Sequence, residues 1–242
     1  MSSGTLYILP SPLDPDLSPL EIPSISASVL RSLSVFVCEN SKTTRKVIKK
    51  LGHPLKQSDI EVFQINKHDP GEGIELFISR LKDGEHIGFM SEAGLPGVAD
   101  PGSYMVSKAH ENNIPVQCLP GSNSLVMALS GSGLNGQKFC FQGYLPREKA
   151  QRADTIRRIE KLSEYENSSQ IIIETPYRND QLIKDLTKTL DRKTRLCIAS
   201  GLNTTSQRIR TLTSGDWSKS IPEIGKVPAV FIIYAGDRNY LN

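Results

Sequence analysis

Long apolar runs are missing from the 242-residue sequence. No uninterrupted apolar stretch approaches the ~20 residues that a membrane-spanning helix needs. The first residues, MSSGTLYILPSP, also lack the basic start and the long apolar centre of a signal peptide. We therefore expect a soluble, cytoplasmic protein without a membrane partner.

Cysteine and histidine are scarce, with four residues of each type. Cys38, Cys118, Cys140 and Cys197 lie far apart, and no two of them have the spacing of metal ligands. The histidines share no motif either. We expect reduced, mostly buried cysteines that pack as small apolar side chains, and we expect no metal site.

The sequence also has little net charge, +3 with 23% charged residues. This balance excludes a chain whose whole surface attracts polyanions, so any contact with nucleic acid must be local. Four familiar signatures are absent as well, namely GxGxxG after a strand, the P-loop, HExxH and GxSxG. Their absence removes the usual support for dinucleotide, nucleoside triphosphate, zinc-protease and hydrolase functions.

Short apolar runs and helical segments alternate along the first half of the chain. The runs predict strands at Thr5–Leu9, Val35–Cys38, Val62–Ile65, Ile87–Met90 and Pro115–Leu119, with helices between them. A series of this kind winds into a parallel sheet with right-handed crossovers.

A new, strand-rich series begins after Pro120-Gly121. Apolar runs predict strands at residues 139–144, 170–173, 196–199, 209–212 and 230–234, with helices separating the second, third and fourth of them. The segment RIRTLT alternates charged and apolar residues, as a half-exposed antiparallel strand does. The fold class is therefore α/β, with a mainly parallel sheet in a domain of residues 1–120 and a mixed sheet in a domain of residues 121–242.

The segment SEAGLPGVADPG, Ser91–Gly102, follows the fourth predicted strand and precedes a helix. Its glycines allow positive φ angles and close backbone approach, while its prolines fix the turns between them. Such a loop lies at the carboxyl end of a sheet, where open α/β folds bind ligands. A second turn of this kind is PGSNS, where Ser122 or Asn123 caps a short helix that residues 130–133 break.

Two predicted helices are strongly basic. The segment SKTTRKVIKKLG, with Ser41 as its N-cap and Gly52 as its stop, carries five lysines and arginines, and Arg147–Leu162 carries six. Two interpretations stay open for them. They are either solvated faces or surfaces that contact phosphate groups.

Five motifs occur in a fixed order, namely LYILPSPL, VCENSKTTRK, SEAGLPGVADPG, LPGSNSLVMALSGSGL and FQGYLP. In this order they resemble the tetrapyrrole methylase superfamily of S-adenosylmethionine-dependent methyltransferases. Within it they resemble the ribosomal RNA small subunit methyltransferase I branch, whose motifs are TPIGNL, EDTR, SDAGTPxxxDPG, PGPSA, ALSxSGL and FxGFLP. The resemblance covers Leu6–Pro146 well and weakens afterwards.

The resemblance implies a two-domain enzyme, usually a homodimer, with S-adenosylmethionine in the cleft between its domains. It implies methylation of the ribose 2′-hydroxyl of a cytidine in small-subunit ribosomal RNA. The cofactor presents an ammonium group, a carboxylate, a ribose diol and an adenine, which call for acceptors, backbone donors and an apolar slot. Carried over by position, its contacts are Pro12, Leu13, Glu92, Gly94, Leu95, Asn123, Ser124, Thr175, Pro228 and Ala229.

The resemblance makes Glu39, the counterpart of the glutamate in EDTR, the candidate catalytic residue. It would accept the proton of the 2′-hydroxyl. Candidate substrate contacts are Lys42, Arg45 and Arg178, and Arg178 is expected to pair with Glu174. The alternative for Glu39 is a structural carboxylate that caps the following helix.

One segment departs from the branch. In ASGLNTTSQRI, residues 199–209, Gly201 stands where the branch has a glutamate and Thr204 where it has a lysine. Two other functions therefore stay open. One is a methyltransferase for a small molecule such as a tetrapyrrole, and the other is an S-adenosylmethionine-binding protein that has lost catalysis.

Overall fold

A computed structural model describes residues 3–14, 21–65, 73–100 and 102–237 of the chain. The chain divides into two compact units, Met1–Asn123 and Ser124–Asn242, here called the first and second domains. Within the described ranges no helix is long and apolar enough to cross a membrane. The same ranges contain no group of three or more His, Cys, Asp or Glu side chains that could hold a metal ion.

The first domain is built on a five-stranded sheet with the order β3-β2-β4-β1-β5. All of its neighbouring strands run parallel, as predicted. Its elements are β1 (Leu6–Leu9), α1 (Ser24–Ser32), β2 (Val35–Cys38), α2 (Ser41–Lys50), β3 (Glu61–Gln64), α3 (Ile74–Lys82), β4 (Ile87–Met90), α4 (Ser103–Glu111) and β5 (Val116–Cys118).

Helices cover both faces of this sheet, and β2 shows why its three central strands, β2, β4 and β1, are apolar throughout. Val35 and Val37 pack into the core that contains residues of α3 and α4, while Phe36 and Cys38 pack into the core that contains residues of α1 and α2. A parallel sheet buried on both faces needs apolar side chains at every position. The strand ends are thus the places where polar residues begin.

The second domain has a mixed five-stranded sheet with the order β6-β7-β10-β8-β9. Only β6 and β7 are parallel, and the other neighbours are antiparallel, which confirms the predicted mixed sheet. Its elements are α5 (Ser124–Ser132), β6 (Phe139–Tyr144), α6 (Lys149–Glu166), β7 (Ser169–Glu174), α7 (Asn179–Thr189), β8 (Arg195–Ser200), β9 (Arg208–Thr213), α8 (Ser214–Trp217) and β10 (Ala229–Tyr234).

The predicted break at residues 130–133 is found, because helix α5 ends at Ser132 and Gly133 follows with φ +66°. Two other local expectations are wrong. No helix separates β8 from β9, because residues 201–207 form a tight turn. Among the cysteines, Cys38 and Cys197 are buried, and burial raises the pKa of both thiols, but Cys118 and Cys140 are exposed. Cys118 and Cys140 lie on β5 and β6, each the first or last strand of its sheet.

Candidate active site

Four strand ends in the first domain bring the predicted site residues to one edge of the sheet. Glu39 follows β2, Ser91 follows β4, Pro10 follows β1 and Leu119 follows β5. Because these strands are neighbours in a parallel sheet, their carboxyl ends meet, and the loops that leave them lie side by side. This edge carries the first-domain part of the candidate site.

The loop after β1, which begins at Pro10 and is here called the first loop, is joined by backbone hydrogen bonds to the loop after β4, Ser91–Gly102, here called the Gly-rich loop. The N–H of Ser11 donates to the carbonyl of Gly94 over 2.8 Å, and the N–H of Gly94 donates back to the carbonyl of Ser11 over 2.9 Å. The buried Ser11 hydroxyl also donates to the carbonyl of Ser91 over 2.7 Å. Gly94 has φ +71°, a conformation that favours glycine. The two loops therefore form one rigid piece.

The turn after β5 closes on the same loops. A Cβ atom added at Gly121 would lie 2.0 Å from Cβ of Pro10, so only glycine fits there. A Cβ atom at Gly94 would lie 3.7 Å from the carbonyl oxygen of Ser122. Ser26, on α1, anchors the turn by donating its hydroxyl to the carbonyl of Pro120 over 2.6 Å. The PGSNS turn and the Gly-rich loop thus approach each other within the first domain.

Glu39 and Glu92 are linked through the ends of β2 and β4. Glu39 is only 7% exposed, and its Oε2 accepts the backbone N–H of Glu92 over 3.1 Å. Glu92 in turn accepts the side-chain amide of Asn40 through Oε1 over 2.7 Å. Glu39 therefore contacts the start of the Gly-rich loop, and the buried side chain lies at the edge where the loops meet.

The N-cap of α2 is Asn40, and the prediction of Ser41 is wrong. Asn40 has an extended backbone, with φ −145° and ψ 111°, and its Oδ1 accepts the N–H of Thr43 over 3.1 Å. Asparagine is among the best residues at this position because its short side chain reaches the free N–H groups of the first turn. Its amide nitrogen is left to bind Glu92.

Replacing Asn40 by alanine is expected to destabilise the first domain by about 1–2 kcal/mol, because both the cap and the bond to Glu92 are lost. Asn40→Ser keeps a capping oxygen and loses the amide donor without placing a second carboxylate beside Glu92, so it should recover most of the stability. Urea unfolding of the two variants measures the difference. Equal losses in both would show that capping by Asn40 contributes little.

Pro12, Leu13 and Glu92 line a cavity of about 240 Å³ in the first domain. The rest of its wall consists of four residues that were not among the predicted contacts, Thr43, Lys46, Val47 and Ala93. Three of the four lie at positions i, i+3 and i+4 of α2, and this spacing places them on one side of a helix. This spacing could have shown that the three residues share one side of α2, but it does not show that this side faces the first loop.

Lys42 and Arg45 lie in different environments although both are on α2. Lys42 is exposed in the first turn, where no acidic residue is present. Arg45 donates to the carbonyl oxygens of Gln57 over 2.8 Å and of Ile60 over 3.3 Å. The guanidinium of Arg45 thus holds the segment that leads into β3.

Remaining first-domain candidates lie around the same loops. Leu95 is half-buried and follows Gly94 directly, while Gly97 has φ +79°. Gly102, with φ +136°, is the N-cap of α4. Asn123 is the last residue of the first domain, and Pro101 lies outside the described residues.

In the second domain, Thr175 and Ala229 lie on neighbouring strand ends. Ala229 begins β10 and pairs with Glu174, the last residue of β7, and exposed Pro228 precedes it. Ser124 begins α5. The buried Glu174 carboxylate binds the guanidinium of Arg178, which confirms the expected pair, and also accepts the N–H of Thr175 over 2.7 Å.

The second basic helix, α6, is less cationic than its composition indicates. Arg152 is buried, pairs with Asp185 at 2.6 Å, and donates to the carbonyls of Pro146 and Arg147. Arg157 pairs with Asp154 at 2.8 Å. These partners assign Arg152 to the packing of α6 against α7.

The atypical segment between β8 and β9 is a turn that its own side chains close. Gly201 has φ +59°, and the Thr204 hydroxyl donates to its carbonyl over 2.7 Å. The N–H of Gly201 donates to the carbonyl of Pro228 over 3.0 Å. Where the branch carries two charged residues, this chain therefore has a compact turn held beside the start of β10.

Comparison with known families gives the class. Residues 23–217 match the family model of the Tetrapyrrole (Corrin/Porphyrin) Methylases, which is most of the chain. The chain belongs to this family, and it is an S-adenosylmethionine-dependent methyltransferase.

Individual relatives agree with this class. Ribosomal RNA small subunit methyltransferase I of Pseudomonas aeruginosa is 29% identical over 91% of this chain and 75% of its own length. The protein of the same name in Escherichia coli O157:H7 is 27% identical over 96% of this chain and 78% of its own length. The crystal structure of diphthine synthase matches with a TM-score of 0.66 at 13% identity, over 96% of this chain and 90% of that one. This last similarity shows the fold alone, and it agrees with the two α/β domains.

Proposed function

We propose that this methyltransferase transfers a methyl group to a ribose 2′-hydroxyl of small-subunit ribosomal RNA. The observation that carries the proposal is the similarity to ribosomal RNA small subunit methyltransferase I over more than nine-tenths of the chain. The loops at the edge of the first sheet support it, because the motifs of that branch lie on them.

The cofactor-binding residues proposed for the first domain are Pro12, Leu13, Glu92, Gly94 and Leu95. The cavity beside them fits part of S-adenosylmethionine, since Pro12, Leu13 and Val47 offer apolar walls and Glu92 offers a carboxylate. Its volume of about 240 Å³ is below the ~300–1,000 Å³ of typical ligand sites. The remaining contacts are therefore assigned to backbone groups of the Gly-rich loop and to further residues.

Five further contacts are proposed for the cofactor: Asn123, Ser124, Thr175, Pro228 and Ala229. Thr175 and Ala229 lie on adjacent strand ends, and Thr175 and Pro228 are exposed beside them. The Glu174 carboxylate fixes Thr175 through its N–H, so that the end of β7 is already ordered before a ligand binds.

The bound cofactor supplies a methyl group on a positively charged sulfur, so positioning of the acceptor oxygen accounts for much of the catalysis. The role we propose for Glu39 is to accept the proton from the 2′-hydroxyl. Its buried position, fixed by the N–H of Glu92, holds the carboxylate in one place.

Lys42 and Arg178 are proposed to contact the phosphates of the RNA. Lys42 lies in the first turn of α2, where the helix dipole already favours an anion, and no acidic residue of that turn neutralises it. Arg178 is bound to Glu174, which orients its guanidinium and leaves part of it exposed. Arg45 was the third predicted contact, and its bonds to Gln57 and Ile60 favour a structural role.

The test is to incubate the protein with methyl-labelled S-adenosylmethionine and small-subunit particles or total RNA from cells that lack it. Label at a ribose 2′-oxygen is the expected result. Label in a small-molecule fraction would show that the methyl acceptor is a small molecule and not RNA. Cofactor binding without any transfer would contradict the proposed reaction.

A further inference from the structure

The second domain contains a cavity of about 430 Å³ that none of the family motifs covers. Its apolar wall consists of Ile198, Ile209, Trp217, Pro222 and Ile224. Its polar lining includes Gln207, Arg208, Arg210 and Glu223. The volume lies within the range of small-ligand sites, and the mixture of apolar wall and few polar groups is typical of them.

The two arginines occupy unusual positions on β9. Arg208 pairs with Ser200 and Arg210 with Ile198, so both lie on the face of the sheet that carries the apolar core of α6, α7 and α8. Leu212, two residues further on, packs against that core. Alternation predicts apolar side chains at all three positions. Arginines replace them where the core ends and the cavity begins.

Arg208 and Arg210 form no ion pair with any residue in the described parts of the chain. The Arg210 guanidinium lies over the Trp217 ring, 5.7 Å from its centroid. Trp217 is itself fixed, because its Nε1–H donates to the carbonyl of Leu196 over 2.8 Å. A guanidinium held over a fixed indole by a cation–π contact keeps N–H groups for a ligand.

The loop that contributes Pro222, Glu223 and Ile224 to the cavity is fixed as well. Asp180, on α7, accepts the N–H of Ile224 over 2.9 Å and of Gly225 over 3.2 Å. Asn179 donates to the carbonyl of Val227 over 2.7 Å. These bonds hold the loop before β10 against α7, so the cavity is preformed and a ligand loses little affinity to ordering it.

We propose that this cavity binds a single-stranded nucleotide of the RNA substrate, next to the nucleotide that is methylated. This inference rests on the proposed function. The planar guanidinium of Arg210 stacks on a base, while Arg208 binds the adjoining phosphate. Gln207 and Glu223 offer an amide and a carboxylate to the polar edge of the base.

The register of the sheet places the cavity near the proposed cofactor contacts of this domain. Arg208 pairs with Ser200, and Ser200 pairs with Ala229 at the start of β10. Two strand spacings, about 10 Å, separate Arg208 from Ala229. The turn that replaces the charged segment of the branch connects β8 with β9 beside this cavity. The inference therefore gives that segment a role in substrate choice.

The test compares Arg208→Ala, Arg208→Lys and the control Lys82→Ala, which removes the same charge from the exposed end of α3. Binding of a fluorescein-labelled single-stranded RNA of small-subunit sequence is measured by anisotropy at several salt concentrations, with S-adenosylhomocysteine present. Arg208→Ala should raise Kd about five- to tenfold and reduce the salt dependence by about one phosphate contact. Arg208→Lys should keep the salt dependence and recover part of the affinity.

Methyl transfer, measured in parallel, separates this inference from the proposed function. If wild-type protein methylates RNA and Arg208→Ala binds RNA like Lys82→Ala, the cavity is not an RNA site. If wild-type protein binds RNA through Arg208 without methylating it, RNA binding by the cavity is supported and the proposed reaction fails. A charge on the edge strand β9 could instead serve only to prevent self-association. If Arg208→Ala changes self-association and leaves RNA binding unchanged, the inference is overturned.

Discussion

Replacement of Glu39 by glutamine is expected to reduce methyl transfer to RNA by about 100-fold or more, the usual contribution of a proton acceptor. Cofactor affinity should change by less than about twofold. Glutamine has the same shape, and its amide oxygen can still accept the N–H of Glu92, so the loop keeps its position. What is lost is the negative charge and the capacity to take a proton. Single-turnover kinetics with labelled cofactor, together with calorimetric binding of the cofactor, measure the two quantities.

Glu39→Ala distinguishes catalysis from positioning. It removes the acceptor of the Glu92 N–H, at a cost of about 1 kcal/mol, and should therefore weaken cofactor binding as well as methyl transfer. The control Glu75→Gln makes the same chemical change at the exposed start of α3 and should leave both unchanged. Normal turnover of Glu39→Gln, with normal cofactor affinity, would remove Glu39 from the mechanism and leave it as a loop support.

Strands and helices could be predicted because their causes are local. The central strands of the first sheet are buried on both faces and are read as apolar runs, and Ile87–Met90 is found at the predicted residues. The breakers at strand ends are equally local, since the glycines at 94 and 97 have the positive φ angles that their loop requires. Parallel order in the first sheet follows from the alternation of strands and helices.

The roles of charged side chains were harder to predict, because they depend on partners distant in sequence. Arg45 and Lys42 look alike in a basic helix, but only Arg45 meets carbonyl groups of the following segment. Arg152 meets Asp185, a residue of another helix. The cavity of the second domain could not be predicted for the same reason. In sequence, Arg208 and Arg210 look like the exposed residues of an alternating strand, and only the pairing of β9 with β8 shows that they lie on the face of the apolar core.

In the first-domain site, the residues on the loops could be predicted, and the residues that α2 contributes could not. The motifs placed Pro12, Leu13 and Glu92, all of which line the cavity. Lys46 and Val47 complete it from α2, and nothing in their own sequence shows which side of the helix faces the first loop. Crossing helices are positioned by packing over the whole sheet, which no single segment encodes.

Gly121 is the position where a single methyl group should do the most damage. In Gly121→Ala the added Cβ would lie 2.0 Å from Cβ and 2.5 Å from Cγ of Pro10, so the backbone of one of the two loops has to move. The proline ring cannot rotate away, and Pro10 adjoins Ser11, whose backbone bonds to Gly94 hold the Gly-rich loop. A shift at Pro10 thus spreads to the loops proposed to bind the cofactor.

We expect Gly121→Ala to lower the free energy of unfolding of the first domain by about 3 kcal/mol and to weaken cofactor binding at least about tenfold. Urea unfolding, monitored by hydrogen exchange of amides in the first domain, measures the free energy of unfolding. Calorimetric titration with S-adenosylmethionine measures the cofactor affinity. Gly136→Ala is the matched control, because an added Cβ there meets no atom within 4 Å, and its effect should stay below about 0.5 kcal/mol.

A second substitution tests the cause of the damage. Pro10→Gly removes both atoms that the new methyl group would meet, so the double variant Gly121→Ala with Pro10→Gly should bind the cofactor better than Gly121→Ala alone. Such a recovery identifies the contact itself, since Pro10→Gly on its own only adds flexibility and is expected to weaken the site. If Gly121→Ala binds the cofactor as the wild-type protein does, the close approach of the two loops is not needed for binding. If the double variant is merely the sum of the two single variants, the loss comes from the backbone at residue 121 and not from its contact with Pro10.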